Sequence, residues 1–543
     1  MVDMHYGAIW EAVADTVPDA PAVVQGARRL SWGEYEQRAA RLAACLLDAG
    51  LAPHARVGMY LYNAPEYCET NFAAMKVRGV PININYRYLD QELAYLLDNA
   101  DIEVLVYHSS LADRVARVQD KAPGVKRWIE VDDGPTAHGR VSVPGALSYD
   151  EVQARFAPAP RIKPEGDELY MLYTGGTTGM PKGVTYSMAE FTRFFLASYP
   201  TMLGGAPWNS AEEVLDSVRA RAASGTPLVA MSSPPLMHGT GCWLGMMAPH
   251  LMGGATVMLE SRGLDPIELW DTVARERVQQ LIIVGDAFAR PMLRELQAAP
   301  TRWDLDSLRV IISSGAMWSL EVKRGLLDLL PQVALADLLG STEGGMGQSL
   351  MTRDTPPAET AKFMLRPTSR VFTSDDREVQ PGSGEVGLVA NGGLVPLYYH
   401  KDPEKSARTF RTVNGQRYSF PGDMATVEAD GTLTLLGRGS NCINTGGEKV
   451  FPEEVEEALK QHPAVEDALV FGEADERFGQ RVVGVASLKP GATASAEDIL
   501  ADAHGRLAGY KLPRRLVLVP RTPRAPNGKA DYATARQLFA AGG

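Results

Sequence analysis

Cysteine is scarce in this chain. Four occur in 543 residues (Cys45, Cys68, Cys242 and Cys442), all far apart. No CxxC pair exists, so neither a zinc ribbon nor a disulfide framework has a basis, and the usage fits a reducing cytoplasm. Positive charge is short as well: 54 Lys and Arg stand against 66 Asp and Glu, a net charge of -12. A general phosphate-backbone binder would show the opposite balance, so no nucleic-acid partner is expected. The opening MVDMHYGAIWEAVADTVPDAP has an early acid and no apolar h-region, which speaks against a secretory signal. One stretch, Ala222–Leu259, lacks Asp, Glu, Lys and Arg altogether. A membrane span needs about 20 predominantly apolar residues in a row. Here Pro227, Pro234, Pro235, Pro249, six glycines, His238 and His250 interrupt the run. A buried strand–loop–helix is the expectation, with no transmembrane segment. HExxH and GxSxG are also missing, leaving zinc-peptidase and serine-hydrolase chemistry without support.

What is present reads as a large globular α/β chain. Hydrophobic residues make up 45% and charged residues 22%, near the globular average, and the length suggests about three domains. Tyr35–Ala49 has apolar positions at helical spacing, closed by Gly50. Arg56–Leu61 and Ile102–Tyr107 read as strands, and Pro65–Val77 and Leu89–Ala100 as helices. A second round follows: strands at Thr256–Leu259, Leu281–Val284 and Val310–Ser313, and a helix at Pro266–Arg277. Such alternation predicts sheets covered by helices. Near Gly437 the composition changes. Gly439, Gly446 and Gly447 lead into PEEVEEALKQ (Pro452–Gln461), a helix with proline in its first turn and acids at its positive end. The boundary is set at Gly437–Ser440, giving residues 1–437 and 438–543 as two units.

The most informative segment is YTGGTTGMPKGV, Tyr173–Val184. Gly175, Gly176 and Gly179 let backbone amides approach an anion closely. Thr174, Thr177 and Thr178 add hydroxyl donors and Lys182 a positive charge. This is polyphosphate chemistry without the Walker A spacing. GSGEVG (Gly382–Gly387) fits GxGxxG, but Pro381 precedes it and glycine-rich, β-branched sequence follows, so it is read as a turn rather than a dinucleotide fingerprint. Arg506–Lys529 carries seven basic residues and no acid. A solvated face and a docking surface for anionic ATP or CoA are the readings kept.

The Tyr173–Val184 string resembles the hallmark YTSGTTGxPKG of the adenylate-forming acyl-CoA synthetases, whose relatives include firefly luciferase and peptide-synthetase adenylation domains. Gly175 stands where the hallmark has serine. Further strings match in order along nearly the whole chain. The resemblance implies that PLMHGTG (Pro235–Gly241) puts His238 at the mouth of the acyl pocket, and that SSGAMWS (Ser313–Ser319) lays Gly315, Ala316 and Met317 beside adenine. GSTE (Gly340–Glu343) implies Thr342 on the α-phosphate and Glu343, with Thr177, as holders of magnesium. Leu339 replaces the usual stacking tyrosine, leaving adenine to apolar contact with Leu339, Gly340 and Ser341. FPGDMA implies Asp423 on the ribose hydroxyls with Arg438 beside it, and PNGK implies Lys529 as the catalytic lysine. Ser440 occupies the hinge position, and NTGGEK (Asn444–Lys449) implies that Gly446, Gly447 and Glu448, with Lys511, meet coenzyme A. The implied fold is a large N-terminal domain of helix-covered sheets plus a β-barrel-like subdomain, followed by a small mobile α+β domain.

The activity so implied joins a carboxylic acid to coenzyme A through an acyl-adenylate, using ATP and Mg2+, in the cytoplasm, with a homodimer as a further partner state. GRGSNCINTGGEKVFPEEVE and NINYRYLDQELAYLLDNA are similar to the branch acting on sterol side-chain and other bulky acids. Between Lys182 and His238 there is room for an extra helix, Ala211–Ala223. A wide apolar pocket rich in Met and Gly is expected. Medium- or long-chain fatty acids and aryl acids stay open as substrates. A non-catalytic nucleotide sensor and a luciferase-like oxidase stay open as other classes.

Overall fold

The computed structural model describes residues 4–134, 141–175, 180–202, 204–355, 362–445, 448–475, 479–504, 506–526 and 528–542. Its elements follow local chemistry. The helix Trp32–Asp48 starts at Ser31, whose Oγ accepts from the Glu34 amide at 3.2 Å while the Glu34 carboxylate accepts from the Ser31 amide at 2.9 Å. This reciprocal cap satisfies donors that the first turn would leave orphaned, and it starts the helix three residues before the periodicity does. Helices Pro65–Lys76, Asp90–Asn99, Ala211–Ala223, Pro266–Arg275 and Pro452–Lys460 fall where the pattern predicts. Strands Arg56–Tyr60, Ile102–His108, Gln280–Ile283 and Val310–Ser314 do too. GSGEVG is a turn leading into the strand Gly387–Asn391.

Two parallel sheets form the N-terminal body. One runs Val80–Asn83, Arg56–Tyr60, Ile102–His108, Arg127–Val131, Leu147–Ser148. The other is parallel from Pro21–Gln25 through Ala255–Met258, Val229–Ser232, Gln280–Ile283 and Val310–Ser314 to Ala334–Ser341. At Gly344–Met351 it turns antiparallel and continues through Lys362–Leu365, Thr432–Arg438 and Asp423–Val427 to Gly387–Asn391. The small barrel-like subdomain is thus an extension of the main sheet. A hairpin, Leu169–Thr174 and Lys182–Ser187, is joined by Tyr398–Tyr399. After residue 440 a separate sheet forms from Ile443–Thr445, Glu448–Val450, Val465–Asp475, Gly479–Leu488 and Arg515–Leu518.

The charge-free stretch is core. It supplies the strand Val229–Ser232, a wide helical segment Thr240–Met247, the short helix Ala248–Leu251 and the strand Ala255–Met258. His250 is fully buried with Nε2 3.1 Å from both the Ala22 carbonyl and Thr256 Oγ1, and burial holds its pKa down at about 4. It packs edge-on against Trp10 and Trp32. Among the described residues no helix is long and apolar enough to cross a membrane. Trp10 also meets Phe72 and Tyr6 edge-on at 5.2 and 5.8 Å. Trp10→Ala is therefore expected to cost about 3–5 kcal/mol, seen as an earlier first transition in calorimetry with the C-terminal transition unmoved.

Candidate active site

Three turns and one loop converge on a single cleft. The hairpin Leu169–Thr174/Lys182–Ser187 pairs Thr174 with Lys182, the two residues that flank the glycine-rich segment in the sequence. Gly176, Thr177, Thr178 and Gly179 lie outside the described residues. Thr174 lines the cleft, and Gly175 follows it with Tyr88 Oη 3.8 Å from where a Cβ would stand. The Lys182 ammonium sits 5.6 Å over the Tyr399 ring. The second turn is a two-residue hairpin: Ser341 pairs with Gly344, leaving Thr342 and Glu343 at its tip. Gly344 has φ +147°, and a Cβ there would run into Asn391, so only glycine closes this turn. The third brings Asp423 opposite Arg438, with Arg438 Nε 3.6 Å from Asp423 Oδ1.

The loop comes from the C-terminal unit. The Ala525 amide donates to the Lys529 carbonyl and the Gly528 amide to the Ala525 carbonyl, both at 2.8 Å. Gly528, at φ +73°, is pressed so close to Val284 that a Cβ would stand 2.9 Å from its Cγ1. Arg524 anchors the loop on Asp467 through Nε and Nη2 at 2.6 and 2.7 Å. Arg294–Glu466 and Lys489–Glu321 tie the two units together at 2.7 and 2.8 Å. Lys529 thereby enters the cleft lined by His238, Thr240, Gly315 and Gly340–Thr342. Lys529 is exposed, yet the protein packed around its ammonium pulls its pKa below the lysine range. Arg438 pulls the same way, and Glu343 and Asp423 oppose.

The electrostatics suit an anionic substrate. His238 is pushed down to about 3, first by burial and then by Lys529, so it stays neutral through the physiological range. Asp423 is buried, and its Oδ2 has no hydrogen-bond partner. An orphaned buried carboxylate oxygen is costly, and two hydroxyls of a ribose would satisfy it. Burial is the first cause lifting its pKa above the usual range.

Not every expected contact is made. Leu338, Leu339, Gly340, Ser341 and Gly315 line the cleft, but Ala316 and Met317 do not. Their carbonyls turn toward Gly285, and the Asp286 amide donates to Met317 at 3.0 Å. Lys511 is paired with Glu454 at 2.6 Å. Glu448 is exposed at the start of the strand Glu448–Val450 and does not line the cleft, Ser440 lies in the short turn Gly439–Asn441, and Gly446 and Gly447 are outside the described residues. The basic stretch is largely taken up by internal contacts: Arg506 on Asp502, Arg524 on Asp467 and Arg515 over the Phe539 ring. The acyl side is narrow and aromatic rather than wide and methionine-rich. Phe194, Phe195, Tyr199 and Trp243 line it, with Met202 the methionine present, and the whole cleft, from Thr174 and Lys529 to this wall, encloses about 160 Å³. Ligand pockets usually offer ~300–1,000 Å³, so a bulky acid must displace side chains on entry.

One contact was invisible to motif reading. Tyr399 Oη donates to Glu343 Oε1 at 2.7 Å, across 56 residues, and Tyr186 Oη donates to the Thr342 carbonyl at 2.6 Å. Together they hold the hairpin tip. The only sequence signal was an aromatic pair before PEK, Tyr398–Tyr399. Tyr399→Phe is expected to slow adenylate formation roughly tenfold, since a hydrogen bond to a charged group is lost, with the melting temperature little changed.

Residues 10–395 match the AMP-binding enzyme family and residues 454–529 its C-terminal domain. The chain belongs to the AMP-binding enzyme family. It is 39% identical to a 3-oxocholest-4-en-26-oate–CoA ligase of Rhodococcus rhodochrous over 97% of this chain and 94% of that one. It is 38% identical to a medium/long-chain-fatty-acid–CoA/3-oxocholest-4-en-26-oate–CoA ligase of Mycolicibacterium smegmatis, over 97% and 95%. In fold it is similar to the anthranilate CoA ligase AuaEII in complex with anthranoyl-AMP, with a TM-score of 0.82, 20% identity and 100% and 99% of the two chains covered.

Proposed function

We propose that this enzyme is an AMP-forming acid–thiol ligase that activates a bulky hydrophobic carboxylic acid, a steroid side-chain acid first and a medium- or long-chain fatty acid second. The observation that carries this is the entry of Lys529 into the cleft shared by His238, Thr174 and the Thr342 tip, with Asp423's free oxygen in the turn beside it. The kinship with two ligases named for a cholestenoate points to the acid class.

A carboxylate has no usable leaving group. Its oxygen attacks the α-phosphorus of ATP, a bond forms from carboxylate oxygen to phosphorus, and the bond to pyrophosphate breaks. Two anions must meet for this, and Lys529 neutralises both. Thr174, the glycine–threonine loop and Lys182 hold the polyphosphate, and Asp423 with Arg438 fixes the ribose. Positioning of this kind supplies much of phosphoryl-transfer catalysis. Among the described residues no cluster of three metal-ligating side chains occurs. Glu343 alone, oriented by Tyr399, fits Mg2+, which takes one or two carboxylates and completes its shell with substrate phosphates and water. Bound there, the ion would offset charge on the departing pyrophosphate.

In the second half the thiol of CoA attacks the acyl carbon and AMP leaves. Residues 438–543 are proposed to turn at Ser440, withdrawing Lys529 and presenting the Gly446–Gly447–Glu448 loop. A second groove of about 670 Å³ has Pro235, Arg87, Arg262 and Arg521 along it. This groove is proposed as the approach of the phosphate-bearing thiol. The test is a panel of steroid, fatty and aryl acids scored by pyrophosphate release with CoA present. Release with steroid acids supports the reading. Release with aryl acids alone overturns the acid class, and no release with any acid overturns the activity.

A further inference from the structure

Arg366 follows the strand Lys362–Leu365, and its guanidinium lines the acyl side of the cleft. It is wedged against Gly345, where an added Cβ would come within 2.9 Å of Cζ, and it lies 5.4 Å over the Phe194 ring. Burial lowers its pKa, and no neighbouring charge contributes. Among the described residues no carboxylate or carbonyl accepts from this guanidinium. An arginine carries five donors and does not shed its charge, so a half-buried one without an acceptor is unfavourable until a ligand supplies one. Lys529 stands in the same cleft beside Gly315, its Cε 3.9 Å from where a Cβ would stand there. The cleft therefore holds two cationic side chains borne by different segments, with an aromatic wall of Phe194, Phe195 and Trp243.

We propose that Arg366 is a specificity-determining residue that reads the end of the acid remote from the reacting carboxyl. It donates to an oxygen acceptor there, a ring ketone or a second carboxylate. The inference rests on the proposed ligase activity and narrows its substrate class to acids with an oxygen acceptor at their far end. An arginine kept only to pack on Phe194 would favour no such group.

The test compares kcat/KM for pyrophosphate release between pairs of acids of equal size: a steroid acid with and without its distal ketone, and a long α,ω-dicarboxylic acid against its monocarboxylic counterpart. The wild-type enzyme is expected to prefer the oxygen-bearing member of at least one pair by about ten- to a hundredfold, the value of a hydrogen bond to a charged group. The preferred pair identifies which oxygen is read. Arg366→Met should bring that ratio close to one, and Arg366→Lys should restore part of it, because charge returns without the planar fork. A wild-type ratio near one in both pairs overturns the proposal, as does a loss in Arg366→Met that is equal for both members of the preferred pair. The wild-type ratios decide the matter even if the variants do not fold. Release of pyrophosphate from every acid with no preference removes this inference alone, whereas no release from any acid removes the ligase reading with it.

Discussion

Lys529→Ala is expected to lower acyl-adenylate formation by about a hundred- to a thousandfold, the effect of losing one preorganised charge-stabilising donor, while the variant still converts supplied acyl-adenylate with CoA at close to the wild-type rate. The asymmetry follows from the chemistry. Two anions must be brought together in the first half, and the Lys529 ammonium is carried into the cleft by a loop locked at Arg524–Asp467 and pressed on Val284 through Gly528. The second half needs a thiol beside the carbonyl, where this amine has no role. Hydroxamate trapping measures the first half and thioester absorbance the second. Equal loss in both would show that Lys529 supports the fold or both reactions and would end the division of labour assigned to the C-terminal unit.

Glu343→Gln is expected to reduce adenylate formation by about a hundredfold or more, with a higher magnesium concentration needed for half-maximal rate. The substitution keeps an oxygen that can accept from Tyr399, so the hairpin tip stays in place while its negative charge is gone. That separates charge from position. Tyr399→Phe changes the reverse, keeping the charge and loosening its orientation, and should cost far less. If the two variants prove equally impaired, orientation rather than charge is what Glu343 contributes. Unchanged magnesium dependence in Glu343→Gln would remove it from the proposed ion site.

Pro65–Lys76 and Ala211–Ala223 were readable because periodicity, a first-turn proline and a capping serine act within a few residues. The helix at Trp32 was read late because its capping box, Ser31 with Glu34, outweighs the weaker apolar pattern of its first turn. The cleft's polar members were readable for a related reason: each turn that presents them is short, and its glycines stand beside the functional side chain. Gly344 next to Glu343 and Gly528 next to Lys529 are both at positive φ. The acyl wall was misjudged. The expectation of a pocket rich in Met and Gly left out Phe194, Phe195 and Tyr199, which the helix Met188–Met202 contributes.

The order of motifs and the alternation of elements were set by the chain itself, since backbone geometry and short-range side-chain chemistry are local properties. Tertiary structure alone decided that Tyr399 grips Glu343, that Asp423 ends with a bare buried oxygen, that Arg366 faces the acyl cleft without a counter-charge, and that most of the basic C-terminal stretch is consumed by internal pairs. Each of these depends on which distant segments are packed together, and contact across tens or hundreds of residues leaves no periodic trace in a sequence.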